Sequence, residues 1–209
     1  MRLGRFLGCY VLMCLAGSFT LAGEFNEVLS IGDKAPAWEN LLGADGKKHS
    51  LSDLKDKEVV VLVFTSLSCL TAVDYEDRIQ TLAKHNAGAE NKVAVVAVCV
   101  NRIAADHPSK IAARWKDKGF AFQYLSDESQ KIAKDYGAIF TPEFYVLNKE
   151  RQIVYMGALD DATDPNKVQK KYVEETIAAA LKGEKPAVTE TVARGCRVRY
   201  ARDRISPVK

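Results

Sequence analysis

Residues 59–79 constrain the fold more than any other part of the chain. Val59, Val60, Val61, Leu62, Val63 and Phe64 form an unbroken apolar run, mostly β-branched. Such a run predicts a strand covered on both faces, as in a parallel sheet. Thr65, Ser66, Leu67, Ser68 and Cys69 follow. Apolar positions then recur at Val73, Tyr75, Ile79, Leu82 and Ala83, close to helical spacing. Cys69 therefore falls where a central strand hands over to a helix. The unpaired N–H groups and the positive dipole end of a helix start stabilise a thiolate, lowering a thiol pKa from about 8.5. Ser66, three residues earlier, is placed to cap that helix or to donate its hydroxyl to the sulfur. The competing reading makes Cys69 a small buried apolar residue. The polar run around it argues against that.

A chain of 209 residues with 47% hydrophobic and 27% charged residues has material for one ordinary core and needs no disulfides to hold it. The first residues are of another kind. Arg2 and Arg5 precede an apolar run over 6–16, and small residues lead to Ala22 and Gly23. That pattern predicts a secretory signal peptide over 1–23, the alternative being an uncleaved anchor; the apolar run is short for a span. The expected organisation is a signal peptide 1–23, a folded domain 24–186 and a basic tail 187–209, with export to the periplasm or the extracellular space. Removing Arg2 and Arg5 takes the formal charge from +3 to +1 and leaves Cys69, Cys99 and Cys196 of the five cysteines. An odd count in an exported protein points to a free thiol or a mixed pairing, in a compartment where disulfides persist.

Along the chain, 33–50 predicts a β-hairpin turning at Ala44-Asp45-Gly46, and Leu51 to Leu54 a short helical turn. Val93 to Val100 is a second buried strand, so strand, helix and strand make a right-handed βαβ unit. Cys99 lies within that strand and reads as core. A helix beginning at Pro108 and stopped by Gly119, a strand over 120–125 and a short helix over 129–136 follow. A hairpin then spans 140–156, with Pro142 marking an edge or a bend, and a helix is expected over 167–182. The fold class is α/β: a three-layer arrangement with a mixed central sheet and helices on both faces.

The pieces Ile31-Gly32-Asp33-Lys34-Ala35-Pro36, the strand into Cys69, Tyr75-Glu76-Asp77-Arg78-Ile79, Asp127-Glu128-Ser129-Gln130 and Gly137-Ala138-Ile139-Phe140-Thr141-Pro142 occur in one order. In that order the chain resembles the thioredoxin-like redoxins, a grouping of alkyl hydroperoxide reductase and thiol-specific antioxidant proteins with thiol–disulfide reductases. The resemblance implies that Thr141 and Pro142 face the active cysteine, with Pro142 in cis and the Thr141 backbone free to bind an extended substrate. An ordinary trans proline at a strand start is the alternative. Two departures matter. Ser66 stands where the reductases carry the first cysteine of Cys-x-x-Cys, and Leu70 and Leu62 stand where peroxiredoxins carry prolines. Glycine followed by cysteine near the C-terminus, here Gly195-Cys196, also resembles the ending of many redoxins.

The expected function is an exported thiol-dependent oxidoreductase in which Cys69 attacks a peroxide or a disulfide. Its partners would be peroxide or protein disulfide or thiol substrates, with an external thiol as reductant. Cys196 is the candidate resolving thiol: its flanking arginines should lower its pKa, and the Gly- and Pro-containing tail should be mobile enough to deliver it. The alternative for Cys196 is an idle thiol on a frayed end. The alternative for the whole protein is a binding module without turnover, since Ser66 removes the usual second cysteine. No cofactor and no metal are expected, because His49, His85 and His107 are scattered. Residues 194–209 carry six basic side chains against Asp203, or +5, and are read as a solvated terminus with no nucleic-acid partner. Once a signal peptide is cleaved, no stable membrane insertion is expected.

Overall fold

The computed structural model describes residues 23–87 and 92–201. The expected signal peptide falls outside the described residues except for Gly23, as does the tail beyond Ala201. Among the described residues no helix is long and apolar enough to cross a membrane.

Strand β1 (Leu41–Gly43) and β2 (Lys48–His49) form the predicted hairpin, and a 3-10 turn follows at Leu51–Leu54. Strand β3 (Val59–Thr65) is wholly buried, as its apolar run requires. Helix α1 (Leu70–Asp74) passes through Tyr75, itself in helical conformation, into α2 (Glu76–His85). Next come β4 (Val93–Cys99), α3 (Pro108–Lys118), β5 (Gln123–Ser126) and α4 (Lys131–Asp135). The chain continues through β6 (Phe140–Thr141), β7 (Glu143–Leu147), β8 (Ile153–Gly157), α5 (Tyr172–Leu181) and β9 (Cys196–Arg197).

The main sheet runs β2-β1-β5-β4-β3-β7-β8. Strands β3, β4 and β5 are parallel, and β7 returns antiparallel against β3. Successive side chains of β3 alternate between two cores, as a strand period of two demands. Val59, Val61 and Val63 pack with Ile79 and Leu82 of α2, Ile111 of α3 and Val173 and Ile177 of α5. Val60, Leu62 and Phe64 pack with Trp38, Leu51, Leu54, Ile132 of α4 and Val198 of the tail. The central strand is thus closed on both faces, and its carboxyl end is where a functional group can reach the surface.

Helix α5 begins at Tyr172, later than the expected 167. The Asp161 carboxylate accepts from the backbone N–H groups of Gln169 (2.9 Å) and Lys170 (3.0 Å), which holds that stretch in a loop.

The tail is the larger difference. It is not a frayed end up to Ala201. The Met156 N–H donates to the Thr189 carbonyl and the Thr191 N–H to the Met156 carbonyl, both at 3.0 Å. Farther along, β9 pairs antiparallel with β6, Cys196 opposite Thr141 and Arg197 opposite Phe140. Gly157 allows the first contact, because a Cβ there would occupy the backbone of Thr191.

Candidate active site

Strand β3 ends at Thr65, and residues Ser66 to Ser68 turn the chain into α1 with Cys69 as its N-cap. The sulfur itself caps the helix, accepting from the Ala72 N–H at 3.3 Å. Ser66 does not play that part. Its hydroxyl donates to Asp106 Oδ2 (2.9 Å) and accepts from Asn101 Nδ2 (3.0 Å) and the Ser68 N–H (3.1 Å). Ser66 lies at the buried end of the strand, one turn short of the helix, so its hydroxyl faces the loop after β4 rather than the sulfur. The Asp106 carboxylate also accepts from the Ser68 hydroxyl (2.8 Å) and N–H (3.1 Å), clamping the approach to Cys69. Residues 101–107 read from the sequence as a plain loop. The buried Asn101 and Asp106 of this polar cluster were therefore missed, since nothing local links them to a segment some forty residues earlier.

Opposite Cys69 stands the Thr141–Pro142 bond, in cis as the resemblance implied. Strand β7 starts one residue later and pairs Glu143 with Phe64, which brings the Thr141 carbonyl 2.9 Å from the Cys69 sulfur. Glu143 secures the bend: its buried carboxylate accepts from the Ile139 and Phe140 N–H groups, both at 2.8 Å. Thr141 and Pro142 thus lie against Cys69, but the Thr141 backbone is not open. The extended edge expected for a substrate is occupied by β9.

That pairing places Cys196 beside Cys69, close enough for each thiol to shift the pKa of the other. Cys69 is buried, with 1% exposure, while Cys196 is exposed. Burial acts to raise the Cys69 pKa. The Cys196 thiol, then the Thr141 side chain and the Ala72 and Cys196 backbone groups, outweigh it and hold Cys69 below its ordinary value. When protonated, Cys69 donates to the Thr141 carbonyl instead. Cys196 moves the other way, against the expectation from its arginines. Its hydrogen bond to Cys69, its burial and the repulsion of the Cys69 thiolate raise it. The arginines next to it are directed elsewhere, Arg197 over the Phe140 ring at 5.7 Å and Arg194 to the Asp161 carbonyl at 2.9 Å. The two thiols thus shift in opposite directions, and Cys69 is the more readily ionised of the pair.

Cys99 is buried in β4, as expected for a core residue, and its pKa is pushed up to about 12 by burial and then by the Asp106 charge. Among the described residues no cluster of three or more His, Cys, Asp or Glu side chains could hold a metal ion.

One expectation concerns pH. Alkylation of Cys69 should show a midpoint below the ordinary thiol value of about 8.5. Removing a donor to a thiolate favours its protonated form, so Cys196→Ala should move that midpoint upward. Rates of iodoacetamide modification across pH, located by peptide mass, measure both; an unmoved midpoint would show that Cys196 contributes nothing to the charge on Cys69.

A mixed sheet with helices on both faces, and a cysteine at the β3–α1 junction opposite a cis-proline, define a thioredoxin-like protein. The family model described as Redoxin matches residues 30–173. The chain belongs to the redoxin family. It is similar to a hypothetical protein from Sinorhizobium meliloti 1021, with 30% identity and a TM-score of 0.77 over 84% of this chain and 97% of that one. It is also similar to an uncharacterized conserved protein from Geobacillus kaustophilus, with 26% identity and a TM-score of 0.76 over 83% and 93%. Peroxidoxin BcpB from Mycobacterium tuberculosis, 21% identical, shares the fold with a TM-score of 0.53 over 64% of this chain and 88% of that one. No curated protein matches the chain. Cys196 lies beyond the residues that the family model covers.

Proposed function

We propose that this protein is an exported thiol-dependent oxidoreductase in which Cys69 is the attacking sulfur and Cys196 the resolving thiol. The observation that carries this reading is the pairing of β9 with β6, which sets Cys196 opposite the Thr141 that touches the Cys69 sulfur, with the Cys69 pKa lowered and that of Cys196 raised. The thiolate is the nucleophile in thiol chemistry, and a resolving thiol must lie within reach of the oxidised sulfur.

With a hydroperoxide, the Cys69 thiolate attacks the outer oxygen. A sulfur–oxygen bond forms, the oxygen–oxygen bond breaks and the departing alkoxide takes a proton. Cys69 is then a sulfenic acid. Cys196 attacks that sulfur, loses its proton and expels water, leaving a Cys69–Cys196 disulfide. One peroxide and two thiols thus become one alcohol, one water and one disulfide. With a small disulfide, Cys69 takes one half and releases the other as a thiolate, and Cys196 displaces the half retained. An external dithiol returns the pair to the reduced state. In the reverse exchange Cys69 is the better leaving group, because a lower pKa speeds departure.

The binding-module alternative rested on Ser66 in place of a second cysteine. Cys196 supplies that second thiol from another part of the chain, which weighs against it. Export is proposed from the N-terminal sequence, in keeping with a compartment where a disulfide is chemically at home.

Intact-mass measurement after one equivalent of hydrogen peroxide tests the reading. A loss of about 2 Da marks the disulfide and a gain of about 16 Da the sulfenic acid. The reduced mass should return on adding dithiothreitol. A protein that stays at its reduced mass with peroxide and also with a small disulfide is not an oxidoreductase of this kind.

A further inference from the structure

Extended peptides are commonly captured by adding a strand to an exposed backbone edge, main-chain hydrogen bonds giving affinity and side-chain pockets giving selection. The edge beside Cys69 is the short strand Phe140–Thr141, and here the chain fills it from within. Cys196 lies opposite Thr141 and Arg197 opposite Phe140. The Val198 N–H extends the ladder to the Ile139 carbonyl at 2.8 Å. The occupant thus pairs with the edge as an added strand would and brings a cysteine beside Cys69.

We infer that residues 195–197 act as an internal pseudosubstrate, taking the edge on which an extended cysteine-bearing peptide would dock, so that the docked strap restricts Cys69 to small oxidants.

The strap is seated at particular points. Gly195 is required by close approach: a Cβ there would overlap the carbonyl of Thr141 and crowd the Pro142 ring. Asn101 accepts from the Arg199 N–H at 2.8 Å through Oδ1, while its amide nitrogen holds Ser66, so one side chain joins the strap to the turn before Cys69. Gln130, buried and in the left-handed region at φ 60°, donates to the Arg199 carbonyl (2.9 Å) and accepts from the Ala201 N–H (2.7 Å). The Tyr200 hydroxyl donates to the Ala138 carbonyl at 2.6 Å. Nothing covalent holds the strap in the reduced protein, where the three cysteines among the described residues are free thiols. A Cys69–Cys196 disulfide would tie it down at the point of contact.

The inference rests on the reading of Cys69 as the reactive sulfur, and the test separates the two. The full-length Cys196→Ser protein is compared with Cys196→Ser/Gly195→Val and Cys196→Ser/Arg199→Pro. Gly195→Val unseats the strap by collision, and Arg199→Pro by removing the N–H that Asn101 accepts. Each protein reacts with two probes, methyl methanethiosulfonate and an extended heptapeptide whose cysteine carries thionitrobenzoate. In the second case Cys69 attacks the peptide sulfur, a mixed disulfide forms and one thionitrobenzoate thiolate leaves, which is read by absorbance. The ratio of peptide rate to small-probe rate cancels changes in thiolate fraction and general exposure. Freeing the edge should raise that ratio by about tenfold or more in both double variants. An unchanged ratio in a folded double variant, with Cys69 still reacting, overturns the strap and leaves the oxidoreductase reading standing. Failure of Cys69 to react with either probe in any variant removes both.

Discussion

Replacing Cys69 with serine is expected to reduce thiol-dependent turnover by about a thousandfold or more, because the attacking sulfur is gone and a hydroxyl at neutral pH is a far weaker nucleophile. Cys99→Ser should leave turnover within about twofold, since burial makes structural cysteines inert. The contrast follows from the surroundings of the two sulfurs. Cys69 is held below its ordinary pKa by Cys196, Thr141 and the Ala72 N–H, which together outweigh burial. Cys99 is pushed up to about 12 by burial and by the Asp106 charge, so roughly one molecule in 100,000 carries a thiolate there at pH 7. Peroxide consumption with dithiothreitol as reductant measures turnover, and maleimide labelling of the native protein measures each site. Labelling of Cys99 as fast as Cys69 would mean that the strand does not shield it and that the assignment of the nucleophile is wrong.

The second large effect concerns Cys196. The wild-type protein, oxidised mildly and digested without reduction, should yield one peptide pair joined through Cys69 and Cys196. Cys196→Ser cannot form that bond. Its oxidised state should be a sulfenic acid on Cys69, or a mixed disulfide with whatever thiol is present, and it should over-oxidise to the sulfinic acid as peroxide rises. Recycling then depends on a bimolecular encounter instead of a neighbour already in contact. A loss of about tenfold or more in turnover at low millimolar reductant is expected, given effective concentrations in the millimolar range or above for tethered groups. Turnover at the wild-type rate in Cys196→Ser, with no linked peptide in the wild type, would assign resolution to an external thiol and leave Cys196 only its place in the strap.

These two cysteines also show how far the sequence could be read. Cys69 was legible because its signals are local. An apolar β-branched run, a polar turn and a helical repeat stand next to one another, and each element follows from residues within it. The same holds for β4 and the core placement of Cys99, for the helix stopped by Gly119, and for the hairpin before it all at 41–49. The cis bond at Pro142 came from the family resemblance rather than from any local pattern.

The tail was read less well. Its positive charge suggested a solvated end, but Val198 and Tyr200 alternate with Arg197 and Arg199, a period of two that marks an edge strand. Charge dominated that reading, whereas burial of Val198 at 8% exposure and the hydrogen bond of Tyr200 decided the outcome. The pKa of Cys196 was misjudged for a related reason. Arginines adjacent in sequence are not neighbours of the sulfur in space: side chains of an extended segment diverge, and Arg197 lies over Phe140. Spacing offers Ser66 as a helix cap or a donor to the sulfur, but the Asp106 carboxylate, distant in sequence, takes its hydroxyl.

The sequence by itself determined the order of strands and helices, the two-faced burial of β3, the position of Cys69 at a helix start and the membership of a redoxin-like class. The first three rest on interactions within a few residues or on periodicity along one element, and the class rests on the resemblance carried by motifs in their order. Only the tertiary structure decided that Cys196 meets Cys69 and that the tail covers the Thr141 edge, and only it showed that Ser66 belongs to the cluster of Asn101 and Asp106. Those are contacts between segments separated by about 35 to 127 positions: the tail pairs because backbone groups left open at the Phe140–Thr141 edge need partners, and the Ser66 cluster forms because buried polar side chains must be hydrogen-bonded.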